Sequence, residues 1–596
     1  MTSGRRVSVK YMTDQTIGLP RVAAKWALVR ALAAHLWRPP ELRPATARLL
    51  AGALAGIAAA HFWRDEGTLA NVLFTVAVTG VLIALLTIAT RRLLLATTIV
   101  GSLVALIVAA ASAKRAAMNM VVHAYDLFFY LSSWSTVSYL LIDQPRYIVA
   151  SLLAVVSVGL LGWWAYCLDG TRVVRGRAAK ALAACVVLAA VGAYAKGERR
   201  HMQFYYANLY VSSFYASWGE TLETLWRGAL LEAAPFGDAS APFVIPSRCN
   251  LAGVRPPHII LIHQESLVQP SLFPKLQYDR LVDPLFRSDD EIVHKLRVET
   301  YGGASWLTEF SLLAGVSTHS FGGMRQFVQT FTQNKLQDTL PQVLQRCGYR
   351  NVVFYPLLKN FVSNDRFYNS IGLKEIFDLK AQGAKSAQER DRVYFDNAMG
   401  EMERHFQSSR QPLFTFIQTM SAHWPYDFTY EPDLDVSGGG LGTGPEMHEY
   451  LRRVSIAKMD YDHLLAELRR RFPSESFLIV QYGDHHPMAT RTLLGYKEET
   501  EAEDVVLDPE SIGFVTYYAA RGINYRLPPL PPYETLDVPY LGTVILDLAR
   551  VPLSQSHVER KRIMALCHGR YHTCSKRDEI LLFHRRLIDS GVIAAR

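Results

Sequence analysis

Five long, nearly uncharged apolar stretches before residue 200 constrain this chain more than any other feature. They cover about 49–63, 68–90, 93–113, 148–168 and 178–195 of its 596 residues. Each is close to the roughly 20 residues that cross a hydrocarbon core as a helix, the first and last being the shortest. Lys180, near the start of the fifth, can snorkel to the headgroups. The first run lies too far along the chain to read as a cleaved signal peptide. With half the residues hydrophobic and 20% charged, disorder, a collagen-like chain and a small disulfide scaffold are all excluded. The sequence predicts a membrane domain over 1–195, a connector over 196–250 and a globular domain over 251–596.

Charge gives the orientation. The net charge is +9, and much of the excess (Arg5, Arg6, Lys10, Arg21, Lys25, Arg30, Arg38, Arg43, Arg48) precedes the first apolar run. Arg91 and Arg92 separate the second and third runs, while Arg172, Arg175, Arg177 and Lys180 separate the fourth and fifth. The positive-inside rule makes both connections and the N-terminus cytoplasmic, with everything after about 196 outside. Nucleic-acid binding is rejected, because no basic–aromatic interleaving or known module accompanies the charge. Residues 120–142 are apolar enough to span, but a span there would turn the 169–180 loop outward. They read instead as an interfacial or re-entrant helix rich in aromatics. Residues 22–37 read as a cytoplasmic amphipathic helix.

From residue 258 the pattern changes. Apolar, β-rich runs at His258–His263, Asn351–Tyr355, Leu413–Thr419, Ser476–Gln481 and Ile512–Tyr518 alternate with helical stretches. That alternation predicts an α/β domain with a mostly parallel sheet covered on both faces. Ligands in such folds gather at the carboxyl ends of the strands. Glu265 ends the first run, His423 follows the third, and Asp484, His485 and His486 end the fourth. A Gly-Gly turn in TYGGASWLTEF presents Ser305 at the start of a helix, whose amides favour an anion. Singly, these residues have ordinary readings: a carboxylate or serine capping a helix, a histidine pair in a tight turn. Together, carboxylate, imidazole and hydroxyl suit a zinc- or manganese-class ion. Such an ion would lower the serine pKa and neutralise a phosphate oxygen.

Four cysteines (Cys249, Cys347, Cys567, Cys574) lie in the outer half, an even number that suits an oxidising compartment. Cys567 and Cys574 are close enough to pair; a zinc knuckle with His568 and His572 is the rival reading.

The strings HIILIHQES, YGGASWLTEF, SAHWPY and QYGDHH resemble the catalytic domain of the alkaline phosphatase/sulfatase superfamily. They are closest to its lipoteichoic acid synthase and periplasmic phosphoglycerol transferase branch. The resemblance covers roughly 250–550, and VPYLGTVILDLARV is similar to a late helix of that superfamily. It implies a sulfatase-like domain behind a helical membrane anchor. By position it implies a single divalent ion, Mn or Zn more naturally than Mg, held by Glu265, Ser305, Asp484 and His485. Ser305 is the implied nucleophile and His423 the phosphate-holding histidine, with Trp424 and His486 beside them in the substrate site. Two departures stand out. The lipoteichoic acid synthases use threonine where this chain has Ser305; both hydroxyls are competent nucleophiles. In NFVSNDRFYNSIG, Asn364 occupies the place of a substrate-binding arginine, and Arg366 or Lys359 is expected to supply that charge.

The implied activity is transfer of a phosphoglycerol headgroup from phosphatidylglycerol to an envelope glycan or glycolipid, through a phospho-serine, at a bacterial inner membrane. Phosphoethanolamine transfer and phosphodiester or phosphomonoester hydrolysis are the alternatives. Ser305 is followed by Trp306, Leu307, Thr308 and Glu309, so the C/S-x-P-x-R context of formylglycine formation is absent and the sequence argues against sulfatase activity.

Overall fold

The computed structural model describes residues 39–118, 120–129, 133–196, 209–227, 230–237, 241–249, 251, 255–434, 444–500 and 505–594. The amphipathic helix expected over 22–37 lies outside them. The chain divides into two compact units.

Among the described residues, five helices are long and apolar enough to cross a membrane, and all or most of each lies in the first unit: α1 (Pro44–Asp65), α2 (Leu69–Thr90), α3 (Leu93–Met118), α6 (Pro145–Leu168) and α7 (Arg175–Lys196). Thr68 caps α2 by accepting from Asn71 N. The basic connections meet one another: Val173 N donates to Arg91 O at 2.9 Å, Arg92 Nη1 to Asp169 O at 3.0 Å and Leu93 N to Thr171 Oγ1 at 2.8 Å. Leu42 N joins the same end through Leu168 O, at 2.9 Å. The start of α1, the α2–α3 turn and the α6–α7 turn therefore share one end of this unit, as the charge pattern predicts.

Residues 120–142 are not one long helix. They form two short ones, α4 (Ala124–Phe129) and α5 (Trp134–Ile142), and residues 114–148 group with the second unit rather than with the spans. The membrane domain expected over 1–195 is thus interrupted. The expected connector also ends early: after α8 (Tyr210–Arg227), Leu231 and Phe243 are already buried in the core of the α/β domain. Apolar side chains that find a core become part of it, whatever their distance from the first strand.

The α/β domain is built on one eight-stranded sheet: β1 (His258–Gln264), β2 (His294–Arg297), β3 (Arg350–Phe354), β4 (Glu375–Phe377), β5 (Leu413–Gln418), β6 (Phe477–Gly483), β7 (Val515–Ile523) and β8 (Thr535–Asp537). The order is β4-β3-β5-β1-β6-β7-β2-β8. The block β4-β3-β5-β1-β6 is parallel, β7 runs antiparallel to β6 and β2, and β2 pairs parallel with β8. Successive strand residues enter opposite cores. Ile259 and Leu261 face one, with Leu307 of α9 (Ser305–Ala314); Ile260 and Ile262 face the other, with Phe395 of α11 (Asp391–Ser408) and Val454 of α12 (Pro445–Arg471). Burial on both faces is why these strands read as unbroken apolar runs. Helix α10 (Asn364–Ser370) lies between β3 and β4 in sequence. Two disulfides, Cys249–Cys347 and Cys567–Cys574, close the outer cysteines, so the zinc-knuckle reading is set aside.

Candidate active site

Residues from β1, β6 and the start of α9 converge at the carboxyl edge of the parallel block. The turn after β1 carries Glu265, and Ser266 takes a positive φ of 55°. That turn packs against the end of β6 because position 483 is glycine: a Cβ there would sit 1.9 Å from Leu267 O. Asp484 follows at once, and its Oδ1 accepts from Ser266 N at 2.7 Å and His485 N at 2.9 Å. Thr308, on the first turns of α9, donates its hydroxyl to Asp484 O at 2.8 Å. Thr419, just past β5, accepts from Glu265 N at 3.2 Å.

Ser305 is delivered by a sharp turn. Gly302, Gly303 and Ala304 have φ of 72°, 148° and 63°. For Ala304 this left-handed conformation is strained, a cost of order 1–3 kcal/mol that recurs at functional turns. Ser305 then stands at the first helical position of α9. Its hydroxyl donates to Glu265 Oε2 at 2.9 Å and lies 3.3 Å from His485 Nε2.

His485 Nδ1 donates to His486 O at 2.9 Å, which leaves Nε2 facing the site, 3.3 Å from both Glu265 Oε1 and Asp484 Oδ2. Thus Glu265, Ser305, Asp484 and His485 are brought together. His263, absent from the expected set, joins them: its Nε2 lies 3.1 Å from Asp484 Oδ2 and its Nδ1 2.8 Å from Tyr482 OH. One ligand atom each from His263, Glu265 and Asp484 lie within 4.8 Å of one another. His263 lies on β1 and Glu265 one residue past its end, two positions further along the chain.

The electrostatics favour a cation. Burial alone would lower the His485 pKa, yet Asp484 and Glu265 outweigh it and push it up to about 9. Burial works against the Glu265 carboxylate, but His485, His423 and His263 hold its pKa well below the usual range. No lysine or arginine pairs with either carboxylate among the described residues. Asp484 is fully buried, and its Oδ2 accepts no well-formed hydrogen bond. A buried carboxylate oxygen whose polar neighbours are two imidazoles, 3.1 and 3.3 Å away, beside a second carboxylate, fits a divalent ion.

The other expected residues divide. His423 is half-buried and near enough to Glu265 to influence its charge, while Trp424 is 57% exposed at the rim. Lys359 and Arg366 are exposed. Asn364 is buried and donates to Tyr355 OH at 2.6 Å, so its amide supports the protein interior. His486 corrects the expectation that it binds substrate. It is fully buried, Nε2 is 2.7 Å from Val515 O and Nδ1 3.3 Å from Thr490 Oγ1, and burial lowers its pKa to about 4. It is a structural residue. Behind Ser305, one turn along α9, the buried Glu309 accepts from Gln329 Nε2 at 2.8 Å and Tyr368 OH at 3.0 Å; burial pushes its pKa up to about 7.

A strained turn thus presents a hydroxyl into a carboxylate–imidazole cluster at the edge of a parallel sheet. Residues 295–509 match the Sulfatase family model. An uncharacterized protein of Haemophilus influenzae is 23% identical over 363 residues, 57% of this chain, and the chain spans 63% of that relative's length. Among solved structures, the Streptococcus pyogenes phosphoglycerol transferase GacH, in complex with sn-glycerol-1-phosphate, is 15% identical with a TM-score of 0.44, covering 59% of this chain and 89% of its own. The lipooligosaccharide phosphoethanolamine transferase EptA of Neisseria meningitidis is 14% identical with a TM-score of 0.43, covering 84% of this chain and 96% of its own. The Listeria monocytogenes lipoteichoic acid synthase LtaP is 16% identical with a TM-score of 0.38, covering 51% and 77%.

Proposed function

We propose that this protein is a membrane-bound, metal-dependent transferase that moves a phosphoglycerol headgroup from phosphatidylglycerol to an envelope glycan or glycolipid. The observation that carries this reading is Ser305 Oγ, 2.9 Å from Glu265 Oε2 and 3.3 Å from His485 Nε2, at the start of a helix. Glu265, Asp484, His485 and Ser305, with His263 beside them, would hold one Zn or Mn ion. When bound, that ion makes the serine hydroxyl more acidic and offsets phosphoryl charge.

Ser305 Oγ attacks the phosphodiester; the bond to diacylglycerol breaks and its oxygen takes a proton. Glu265 aims the hydroxyl and accepts its hydrogen bond. The amides at the start of α9 face the phosphoryl oxygens, and His423 holds the phosphate from the opposite rim. An acceptor hydroxyl then attacks the phospho-serine and restores Ser305. Arg366 and Lys359 supply positive charge near the headgroup. The basic turns lie on the cytoplasmic side of a bacterial inner membrane and the α/β domain outside it, a reading supported by the shared end of those turns and by the two disulfides.

The test is the mass of the Ser305 peptide after the purified protein meets mixed phosphatidylglycerol and phosphatidylethanolamine vesicles, with His423→Ala alongside to slow turnover. A glycerophosphate adduct on Ser305 is expected. An ethanolamine phosphate adduct would keep the mechanism and change the donor. Full transfer by Ser305→Ala would refute the covalent route.

A further inference from the structure

The segment between α3 and α6 is amphipathic in the reverse sense for a helix on a water-facing domain. In α5 and its caps the polar residues face protein. Ser133 and Thr136 share hydrogen bonds with Ser363 Oγ, the latter at 2.8 Å, and Ser135 Oγ donates to Asp365 Oδ1 at 2.6 Å. Asp143 accepts from Lys380 Nζ at 2.7 Å and Asn360 Nδ2 at 3.1 Å. The other side of the same helix carries Trp134, Leu141 and Ile142, exposed by 66%, 44% and 73%. Helix α4 repeats the arrangement. Tyr125 is fully buried and the buried Asp126 pairs with Lys114 Nζ at 2.8 Å, while Leu127 and Phe128 are exposed.

A surface helix in water buries its apolar stripe and exposes its polar one. Exposing five large apolar side chains while turning serines, a threonine and two aspartates towards protein is unfavourable in water, because the apolar surface stays hydrated. The inversion is favourable only where the outer medium is itself apolar. Sequence continuity supplies one: α3 runs to Met118 and α6 starts at Pro145, and both are long and apolar enough to cross a membrane. We propose that residues 120–129 and 133–144 carry a membrane-docking face. Leu127, Phe128, Leu141 and Ile142 enter the boundary between headgroups and acyl chains, and Trp134 sits at headgroup level. The occupant is the lipid surface itself. Through Ser363, Asp365 and Asn360, that face also fixes the stretch carrying Arg366 at a set depth from the lipids.

The test uses the full-length protein in vesicles, with Cys167 and Cys185 replaced by serine and a bimane label at Trp134→Cys, Ile142→Cys or Arg410→Cys. Arg410 is a control on a side chain that is 83% exposed, at the amino edge of the sheet. Lipids brominated on their acyl chains are expected to extinguish most of the fluorescence at 134 and 142 and to leave 410 unchanged, with iodide doing the reverse. Equal bromolipid quenching at all three positions would overturn the proposal. So would protection of 134 and 142 from both quenchers, which would mean that protein covers the face. The readout does not involve transfer, so it stands or falls separately from the proposed activity.

Discussion

Arg453, on α12, holds the loop that carries His423 and Trp424, and replacing it should loosen that loop before it harms the metal cluster. Its side chain is 1% exposed. Nη1 donates to His423 O at 2.6 Å, Nη2 to Pro425 O at 2.8 Å and Phe428 O at 3.3 Å, and Nε to Glu449 Oε1 at 2.8 Å. The guanidinium also lies 4.9–5.2 Å from the ring centres of Tyr426, Phe428 and Tyr430. Arg453→Ala removes all four hydrogen bonds and leaves buried Glu449 with Tyr430 N at 2.8 Å and Arg452 Nη1 at 3.9 Å. Breaking a buried ion pair from one side costs about 3–5 kcal/mol, which lowers Tm by on the order of 5–10 °C in a domain of this size. Arg453→Lys keeps the charge but not the fork. Losing about one charge-assisted hydrogen bond should cost it roughly 1.5–3 kcal/mol. Because an ångström of misplacement can cost about 10²-fold, phospho-Ser305 formation should fall by about tenfold or more in Arg453→Lys. Bound metal should stay at the wild-type level, since neither variant touches Glu265, Asp484 or His485. Thermal unfolding followed by tryptophan fluorescence, adduct formation by mass spectrometry and metal content complete the assay. Wild-type Tm and adduct rate in Arg453→Ala would refute the positioning role.

Three further outcomes are expected. Asp484→Asn keeps the Oδ1 acceptor for Ser266 and His485 but removes the charge, so metal retained after dialysis, read by elemental mass spectrometry, should fall well below the wild-type level; undiminished metal would contradict the assigned ligand set. Cys249–Cys347 closes a 98-residue separation and Cys567–Cys574 one of 7, so chain entropy predicts losses of about 4.7 and about 2.4 kcal/mol when each pair is changed to serine. Denaturant unfolding should rank them in that order. Burial, then the nearby Asp460, pushes the Asp391 pKa up to about 7. The folded state therefore binds this proton more tightly than the unfolded state, and the contribution present at low pH is lost as pH rises from about 4 through 7. Asp391→Asn should flatten that part of the Tm–pH curve, and an unchanged slope would exclude Asp391 as its source.

The five spans were legible because a continuous apolar run of that length has few soluble destinations, and β1, β3, β5 and β6 because both their faces are buried. β2, β4 and β8 were not. β2 is HKLR with only Leu296 buried, and β4 and β8 have three residues each, too short for any period to show. β7 continues to Ile523 through Ala519, Ala520, Arg521 and Gly522, residues with little strand preference that β6 recruits by pairing. In the site, Ser305, Glu265, Asp484 and His485 could be read from their places after turns and strands. His263 was hidden inside an apolar strand, two positions before Glu265. His486 was misread because it neighbours His485, but its ring is taken up by Val515 O and Thr490 Oγ1. Arg453 had no local signature: its partners are carbonyls 25 to 30 positions away.

What holds the cluster together is backbone geometry rather than the ion it is suited to hold. Leu267 O packs where a Cβ of residue 483 would be, Thr308 ties α9 to Asp484 O, and Thr419 ties β5 to Glu265 N. Each of these contacts lies between segments far apart in sequence, and each is made by groups other than the ligand atoms. The ligand atoms are thereby fixed close together with their negative charge only partly offset by imidazoles. In a small zinc domain the metal supplies the folding energy. Here the sheet and its two cores supply it. Two serine hydroxyls reach Glu265, Ser305 through Oε2 at 2.9 Å and the buried Ser266 through Oε1 at 2.8 Å, and of the two Ser305 also lies 3.3 Å from His485 Nε2, which is the ground for proposing it as the nucleophile.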